Sequence, residues 1–252
     1  MAKSGRVRSG KHHGFQVFHQ RTWPRFRFSF RGKKTFHVEP IELLEKALGV
    51  RLPPGGIELF ERYQNLILEW NQTIHLVSKR DEALLVSRHF LESAGLAVVL
   101  DIPSGAKVMD LGSGPGFPGI PLAIVRPDLE IILAESVAKR AGFLRCVMES
   151  LKLERVSVVC DRAESSHDNR RDRDWVFSRA VADCDTLARW SKSWVRPGGR
   201  LVAFKGMDIG KELKRLEKTA VKRGVQEWKV LPFDPFPYLT PVRGVLIEII
   251  FK

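Results

Sequence analysis

The stretch Asp110-Leu111-Gly112-Ser113-Gly114-Pro115-Gly116 decides the fold of this chain. It follows the apolar pair Val108-Met109 and precedes the apolar run 117–124. That order is typical of a strand end, a glycine turn and the start of a helix. Glycines in such a turn let the backbone approach a ligand that any Cβ would block, and open α/β sheets bind ligands at the carboxyl ends of their strands. The sequence therefore predicts a ligand site at this turn.

A second acidic residue, Glu135, ends the next apolar run, 129–134. It lies 23 residues after Gly112, close to the distance at which a ribose-binding carboxylate follows a glycine turn. A turn and an acid in this order indicate a cofactor that contains a nucleoside.

Three interpretations of the turn are open from these residues. Gly114, Gly116 and Gly119 satisfy the G-x-G-x-x-G spacing of dinucleotide enzymes, and a plain tight turn would also fit. The tighter D-x-G-x-G-x-G pattern, which begins at Asp110 and Gly112, is typical of S-adenosylmethionine-dependent methyltransferases. A carboxylate beside the turn suits a positively charged sulfonium cofactor and would repel a pyrophosphate, which favours the methyltransferase.

The alternation of apolar runs and helical patterns from Lys107 onward predicts an α/β sheet. We expect it to be Rossmann-like and mostly parallel, with an antiparallel C-terminal edge strand. Pro197-Gly198-Gly199 is expected to mark the turn into the fifth strand. Strands are predicted near 107–110, 131–135, 156–160, 175–179, 200–204, 226–231 and 244–251, and helices near 117–125, 137–151, 184–194 and 208–223.

Helical spacing ahead of the sheet predicts a cap over 39–104, within a methyltransferase domain over 39–252. Its helices are expected near 41–48, 59–70 and 81–100. The final two strands lack the further βα units of a dinucleotide fold, which again favours a methyltransferase.

The charge of +13 is concentrated at the N-terminus. Residues 1–38 hold ten Lys and Arg and no acid, so the remainder carries 32 bases against 29 acids. This leader has no helical period and is expected to be disordered. It fits an RNA-contacting arm, an organellar transit segment or a misassigned translation start.

Three cysteines without metal spacing, Cys146, Cys160 and Cys184, indicate free thiols in a reducing compartment, and we expect a cytoplasmic protein. No apolar run approaches the roughly 20 residues of a membrane span. We expect neither a membrane nor a metal partner.

Several blocks in a fixed order resemble the glucose-inhibited division protein B family (GidB, also RsmG), over about 59–252. The most specific block is 110–123, with its P-G-F-P-G-I-P element. Other blocks are Arg88-His89-Phe90-Leu91-Glu92-Ser93, Ser178-Arg179-Ala180 and Lys205-Gly206. The chain departs from the family at His75-Leu76-Val77, where N-L-T is usual, and at Glu135, where Asp is commoner.

The resemblance implies a class I methyltransferase that methylates guanine N7 in the decoding region of 16S ribosomal RNA. Its partner would be that RNA or the small ribosomal subunit, and we expect a monomer. The implied cofactor contacts are Gly112, Phe117, Ala163, Glu164 and Arg179, to which the residues themselves add Asp110, Gly114 and Glu135. Candidate RNA contacts form an expected basic surface, namely Arg88, His89, Lys139, Arg140, Lys205 and Arg243.

Methylation at guanine N7 needs no proton removed, so no side chain is expected to act as a catalytic base. The place after the fourth strand, where amino-group methylases carry [DN]-P-P-[YF], holds Ser178-Arg179-Ala180. A similar stretch, 234–238, has an inserted residue and lies near the C-terminus. Two alternatives stay open: a methyltransferase with another RNA acceptor, and an RNA-binding module with a vestigial pocket.

Overall fold

The structure is a computed structural model that describes residue 41 and residues 43–162, 171–233 and 244–252. The leader 1–38, the candidate contacts Ala163, Glu164 and Arg243, and the stretch 234–238 lie outside these residues. In the described part of the chain, every helix is too short or too polar to cross a bilayer.

The described strands form one seven-stranded sheet in the order β3-β2-β1-β4-β5-β7-β6. The pairs from β3 to β5 are all parallel, which confirms the predicted sheet. Apolar runs such as Val-Phe in β4 are buried on both faces, as parallel strands between helices require. The strands are β1 (Lys107–Leu111), β2 (Glu130–Ala134), β3 (Val156–Val159), β4 (Arg173–Arg179), β5 (Val195–Lys205), β6 (Val225–Phe233) and β7 (Gly244–Phe251).

The antiparallel strand is β7, and it lies between β5 and β6. The C-terminal strands therefore form the antiparallel edge of a mostly parallel sheet, which confirms the prediction, with β6 outermost. β7 is buried along most of its length, whereas β6 is largely exposed, so the more apolar strand takes the inner place.

Helices cover both faces of the sheet. Four of them connect strands: α5 (Gly119–Val125), α6 (Ala138–Leu151), α7 (Cys184–Ser191) and α8 (Gly210–Arg223). The helices ahead of the sheet are α1 (Leu43–Leu48), α2 (Gly56–Trp70), α3 (Lys79–Glu82) and α4 (Leu91–Val99). α2 packs on α5 and α6 and shares their apolar core, whereas α7 and α8 pack together over a second core.

The predicted helix over 81–100 is broken into three pieces. α3 is followed by a π-helix, Leu85–Phe90, which passes directly into α4. Ser78 begins α3, because its Oγ accepts the N–H of Asp81 at 3.1 Å. An apolar period of 3.6 does not distinguish a π-turn from an α-turn, and π-turns are frequent at functional sites.

The fifth strand begins earlier than predicted. β5 starts at Val195, so Pro197-Gly198-Gly199 lie inside the strand instead of before it. The register with β4 shifts between Arg173 and Trp175, which absorbs the extra residues as an irregularity.

Candidate active site

The glycine turn is held against the end of β2. The N–H groups of Gly112 and Ser113 both donate to the carbonyl of Ala134, at 2.9 and 3.0 Å. Gly112 has φ +78°, and a Cβ there would lie 2.5 Å from Cγ2 of Val181. Val181 follows β4, so the first glycine lets the loops after β1 and β4 come into contact.

Gly114 faces open space. It has φ +55°, and a Cβ built on it would meet no atom within 4 Å. Its N–H donates to Oε2 of Glu135 at 2.9 Å. The backbone at this point therefore forms an open cradle with a carboxylate beside it.

The Glu135 carboxylate is buried and fixed by two backbone groups. Oε2 accepts from Gly114, and Oε1 accepts from the N–H of Val137 at 2.8 Å. Each carboxylate oxygen has capacity for a second hydrogen bond. Glu135 is thus held at the cradle with acceptor capacity to spare.

Asp110 ties the end of β1 to the start of α5. Its fully buried carboxylate accepts the N–H of Gly119 on Oδ2 at 2.9 Å, and Oδ1 has no hydrogen-bond partner among the described residues. Burial raises the pKa of Asp110 to about 7, although the hydrogen bond from Gly119 opposes the rise. Asp110 is therefore part of the support beneath the turn.

An aromatic cluster joins the helical cap to the turn. The hydroxyl of Tyr63, in α2, donates to the carbonyl of Pro115 at 2.6 Å. Burial raises the pKa of Tyr63, with a further contribution from the Asp110 carboxylate, so this hydroxyl stays protonated. The Tyr63 ring stacks on Phe90 with centroids 5.2 Å apart, and Phe117 stacks on His89 at 5.0 Å and 6°.

A charged cluster adjoins the aromatic rings at His89. Nη2 of Arg179, at the end of β4, pairs with Oε2 of Glu92 at 2.7 Å. Nη1 of Arg88 pairs with Oδ1 of Asp81 at 2.8 Å, and Nε2 of His89 lies 3.6 Å from the same oxygen. The described residues offer no hydrogen-bond partner to the buried Nη1 of Arg179 or to either His89 nitrogen.

The electrostatics of this cluster keep His89 neutral. Burial lowers the pKa of His89 to about 3, and the Arg179 guanidinium adds to the decrease. Burial raises the pKa of Glu92, while the charge of Arg179 opposes the rise. Removal of either Arg179 or Glu92 would leave the other as an uncompensated buried charge, which is strongly destabilising.

The other predicted RNA contacts in the described part of the chain differ in exposure and in their partners. Lys139 is exposed near the start of α6, and Nη2 of Arg140 donates to the carbonyl of His75 at 3.2 Å. Nζ of Lys205 donates to the carbonyl of Ala182 at 2.5 Å and pairs with Oε2 of Glu212 at 2.8 Å. The structure thus brings Arg88, His89, Phe117 and Arg179 together, and places Asp110, Gly112, Gly114 and Glu135 around the turn.

Sequence reasoning missed the contacts of Tyr63, Asp81 and Asn71. Tyr63 was one apolar position of a helical pattern, and nothing in that pattern marks a hydroxyl that reaches Pro115. Asn71 Oδ1 accepts the N–H groups of Leu76 and Val77, at 2.8 and 3.0 Å, and so shapes the loop that departs from the family. The available signal was Asn71 itself, a polar residue at the end of an apolar helix.

No group of three potential metal ligands occurs among the described residues.

The model of one family, rRNA small subunit methyltransferase G (GidB), matches residues 56–234. A protein of Roseiflexus sp. named ribosomal RNA small subunit methyltransferase G is 42% identical over 71% of this chain and 76% of its own length. The protein of that name from Chromobacterium violaceum is 35% identical over 79% of this chain and 91% of its own length.

Two solved structures share the fold at low identity. M. jannaschii TYW2 in complex with AdoMet has a TM-score of 0.53 at 17% identity, over 72% of this chain and 79% of that chain. A SAM-dependent methyltransferase from Aquifex aeolicus has a TM-score of 0.52 at 14% identity, over 69% of this chain and 96% of that chain. With the family match, these findings confirm the predicted class I methyltransferase fold and cofactor type. The chain therefore belongs to the rRNA small subunit methyltransferase G family, a family of S-adenosylmethionine-dependent methyltransferases.

Proposed function

We propose that this protein methylates N7 of a guanosine in the decoding region of 16S ribosomal RNA, either free or in the small ribosomal subunit. The name of its relatives supports a small-subunit rRNA acceptor. The observation that carries the choice of N7 is the end of β4. There the Ser178 hydroxyl donates to the Leu111 carbonyl at 3.1 Å, and Arg179 is a cation paired with Glu92.

Neither Ser178 nor Arg179 is a base, because a neutral hydroxyl is very weakly basic and a guanidinium already carries its proton. An amino or hydroxyl acceptor must lose a proton during methylation, whereas guanine N7 already presents a lone pair. His89, in the same charged cluster, is buried, and burial together with the Arg179 charge lowers its pKa strongly, so it is a weak base. The surroundings of β4 therefore suit an acceptor that needs only to be aligned.

The residues of the turn fit S-adenosylmethionine. Gly114 leaves the space that a ligand would fill, and the Glu135 oxygens have capacity for the ribose hydroxyls. The buried Nη1 of Arg179, which has no hydrogen-bond partner among the described residues, suits the carboxylate of the methionine end. Gly112 and Phe117 would line the same end, with Asp110 supporting the turn. When bound, the cofactor supplies a methyl group on a positively charged sulfur.

The contribution of the chain is then orientation and exclusion of water. Tyr63 and Phe117 fix the turn under the cap, and Arg179 is fixed by Glu92. Groups held in this way need not reorganise when the acceptor arrives, and alignment alone is a large part of the acceleration of such reactions. Outside the described residues, Ala163 and Glu164 would contact the adenine and Arg243 the RNA.

Basic residues at the rim would face the RNA. Lys139 is exposed, and Arg88 is half exposed while it pairs with Asp81. Lys205 and Arg140 are partly occupied by contacts within the chain. We expect Arg88, Lys205 and Arg140 to contribute less to RNA binding than the exposed Lys139 does.

We also infer a monomer that acts in the cytoplasm, with residues 39–252 as the catalytic unit. The family match begins at residue 56 and so leaves the basic leader outside it. Removal of residues 1–37 should leave the affinity for S-adenosylhomocysteine unchanged in calorimetry, and a lost affinity would contradict this division.

The experiment that tests the proposed function is mass-spectrometric mapping of 16S rRNA from cells with and without the protein. One 7-methylguanosine should disappear with the protein and return with the intact gene, but not with a Glu135→Ala variant. Loss of a different modification would indicate another acceptor. An unchanged rRNA, together with no heat of S-adenosylhomocysteine binding, would favour the RNA-binding module.

A further inference from the structure

Helix α8 carries a row of basic residues on its outer face. Its inner side is buried at Leu216 and Ala220, against the sheet. At 3.6 residues per turn, the arc opposite these two residues contains the exposed Val221 and five basic positions, all exposed, and the exposed Glu217 lies at its flank. The five basic residues, here called the α8 stripe, are Lys211, Lys214, Arg215, Lys218 and Lys222.

Two of the acids near the helix are paired with other residues, and a third, the exposed Glu217, lies at the flank of the stripe. Glu212 pairs with Lys205 at 2.8 Å, and Asp185 pairs with Arg223 at 2.7 Å. Among the described residues, no carboxylate lies within 4.0 Å of the four lysines of the α8 stripe. Arg215 lies 3.6 Å from Asp185 and keeps 63% of its side chain exposed.

Helix stability does not explain this arrangement. Like charges at i and i+4 repel one another, and the stripe contains three such pairs: 211 with 215, 214 with 218, and 218 with 222. Lys211 and Lys214 also lie near the N-terminal end of the helix, where the helix dipole disfavours cations. Only Lys222, in the last turn, is placed where the dipole favours it.

The stripe begins beside the candidate active site. α8 follows β5. The carboxyl end of β5 lies on the same side of the sheet as the glycine turn, because β1, β4 and β5 are parallel. Lys205 at that end contacts both Glu212 in the first turn of α8 and Ala182 after β4. From Lys211 to Lys222 the stripe runs about 16 Å away from this end. Lys192 extends it, since its Nζ donates to the Lys222 carbonyl at 3.3 Å.

We propose that the α8 stripe binds the phosphate backbone of the RNA that carries the acceptor guanosine. An RNA strand that reaches the carboxyl ends of the strands presents phosphates at regular intervals. A row of flexible lysines can pair with these phosphates without regard to base sequence. This inference rests on the proposed function for its partner. It assigns affinity to α8 and leaves cofactor binding and alignment to the turn.

The test uses the full chain with the substitutions Lys211→Ala, Lys218→Ala and Lys222→Ala combined. A matched control removes the same charge from exposed positions on the cap, on α6 and before β3, by Arg51→Ala, Arg145→Ala and Arg155→Ala. RNA affinity is measured against salt concentration for small-subunit rRNA, beside S-adenosylhomocysteine affinity and single-turnover methylation at saturating RNA. Alanine favours helix, so the α8 variant should fold.

The α8 variant should bind RNA at least about tenfold more weakly at low salt, with a logarithmic salt slope smaller by about 2. Its cofactor affinity and its methylation rate at saturating RNA should match those of the parent, and the control should keep the parental slope. If stripe and control variants lose equal affinity, or if neither loses any, the α8 assignment is overturned. If the parent itself fails to bind and methylate the RNA, the proposed function fails first.

Discussion

The hydroxyl of Tyr63 donates to the carbonyl of Pro115 at 2.6 Å, and this bond connects the helical cap directly to the glycine turn. The same ring stacks on Phe90 of the π-helix and meets the edge of Phe117 at 6.0 Å. The cap is therefore a support for the cofactor loop as well as a cover for the sheet.

Tyr63→Phe should weaken S-adenosylhomocysteine binding, because the Pro115 carbonyl loses a buried partner and the turn is less rigidly held. The expected cost in stability is about 1–2 kcal/mol. Calorimetry and urea unfolding measure the two effects. Phe60→Leu, in the same cluster and without a polar contact to the turn, should reduce stability and spare the affinity. Equal effects of the two substitutions on affinity would show that the hydrogen bond has no role there.

Gly112→Ala and Gly114→Ala should separate packing from ligand space. At Gly112 the new Cβ meets Val181, so this variant should lose stability and regain part of it when combined with Val181→Ala. At Gly114 the Cβ enters open space, so only the strain of positive φ, about 1–2 kcal/mol, should appear in stability. Cofactor affinity should nevertheless fall sharply at Gly114, and an unchanged affinity would remove the cradle from the cofactor site.

Glu135→Ala should weaken S-adenosylmethionine binding by about 1.5–3 kcal/mol, since charged hydrogen bonds to two hydroxyls are lost. The loss also frees the N–H groups of Gly114 and Val137, so part of the effect would come from the turn itself. Binding of a 2′,3′-dideoxy analogue of S-adenosylhomocysteine separates the two causes. The analogue should bind parent and variant with a much smaller difference, and an undiminished difference would contradict ribose recognition by Glu135.

Asp110 should make stability decrease as pH rises from about 4 to about 7. Its folded pKa of about 7 exceeds its ordinary value of 3.8, so the native chain keeps a proton that the unfolded chain has released in that range. The contribution is at most about 1.4 kcal/mol per pH unit. Relative to the parent, Asp110→Asn should gain stability with pH up to about 7 and then level off.

Urea unfolding at pH 5, 6, 7 and 8 measures this difference. Asp128→Asn is a control whose pH curve should run parallel to that of the parent over this range, because the hydrogen bonds from Arg126 lower the pKa of Asp128 and its stabilisation is lost only below about pH 4. Parallel pH curves for the parent and Asp110→Asn would contradict a raised pKa at Asp110.

Local patterns predicted the strands and the glycine turn because each depends on neighbours in sequence. β1 and β7, for example, lie at the apolar runs from which they were predicted. The sequence indicated that Gly112 must lack a side chain but not that Val181, 69 residues later, is what a Cβ would meet. Contacts between distant segments also produce the π-helix, in which Phe90 meets Tyr63 and His89 meets Phe117.

Only those parts of the candidate site that depend on neighbours in sequence could be predicted. Asp110 and Glu135 end strands, and strand ends are visible in the sequence. The pairing of Arg179 with Glu92 spans 87 residues between a cap helix and a sheet strand. Such a pair becomes visible only when the packing of the cap against α5 is known.

The central claim is that methyl transfer here needs alignment without a catalytic base, and the pH dependence of the chemical step tests it most directly. Single-turnover methylation is measured at saturating cofactor and RNA, so that titration of Asp110 cannot enter through binding. The rate constant should stay constant within about twofold from pH 6.5 to 8.5, since guanine N7 carries no proton to lose. Arg179→Ala should lower that constant and leave the profile flat. A rise of about tenfold per pH unit, abolished by replacing a single side chain such as His89, would contradict both the base-free mechanism and N7 as the acceptor.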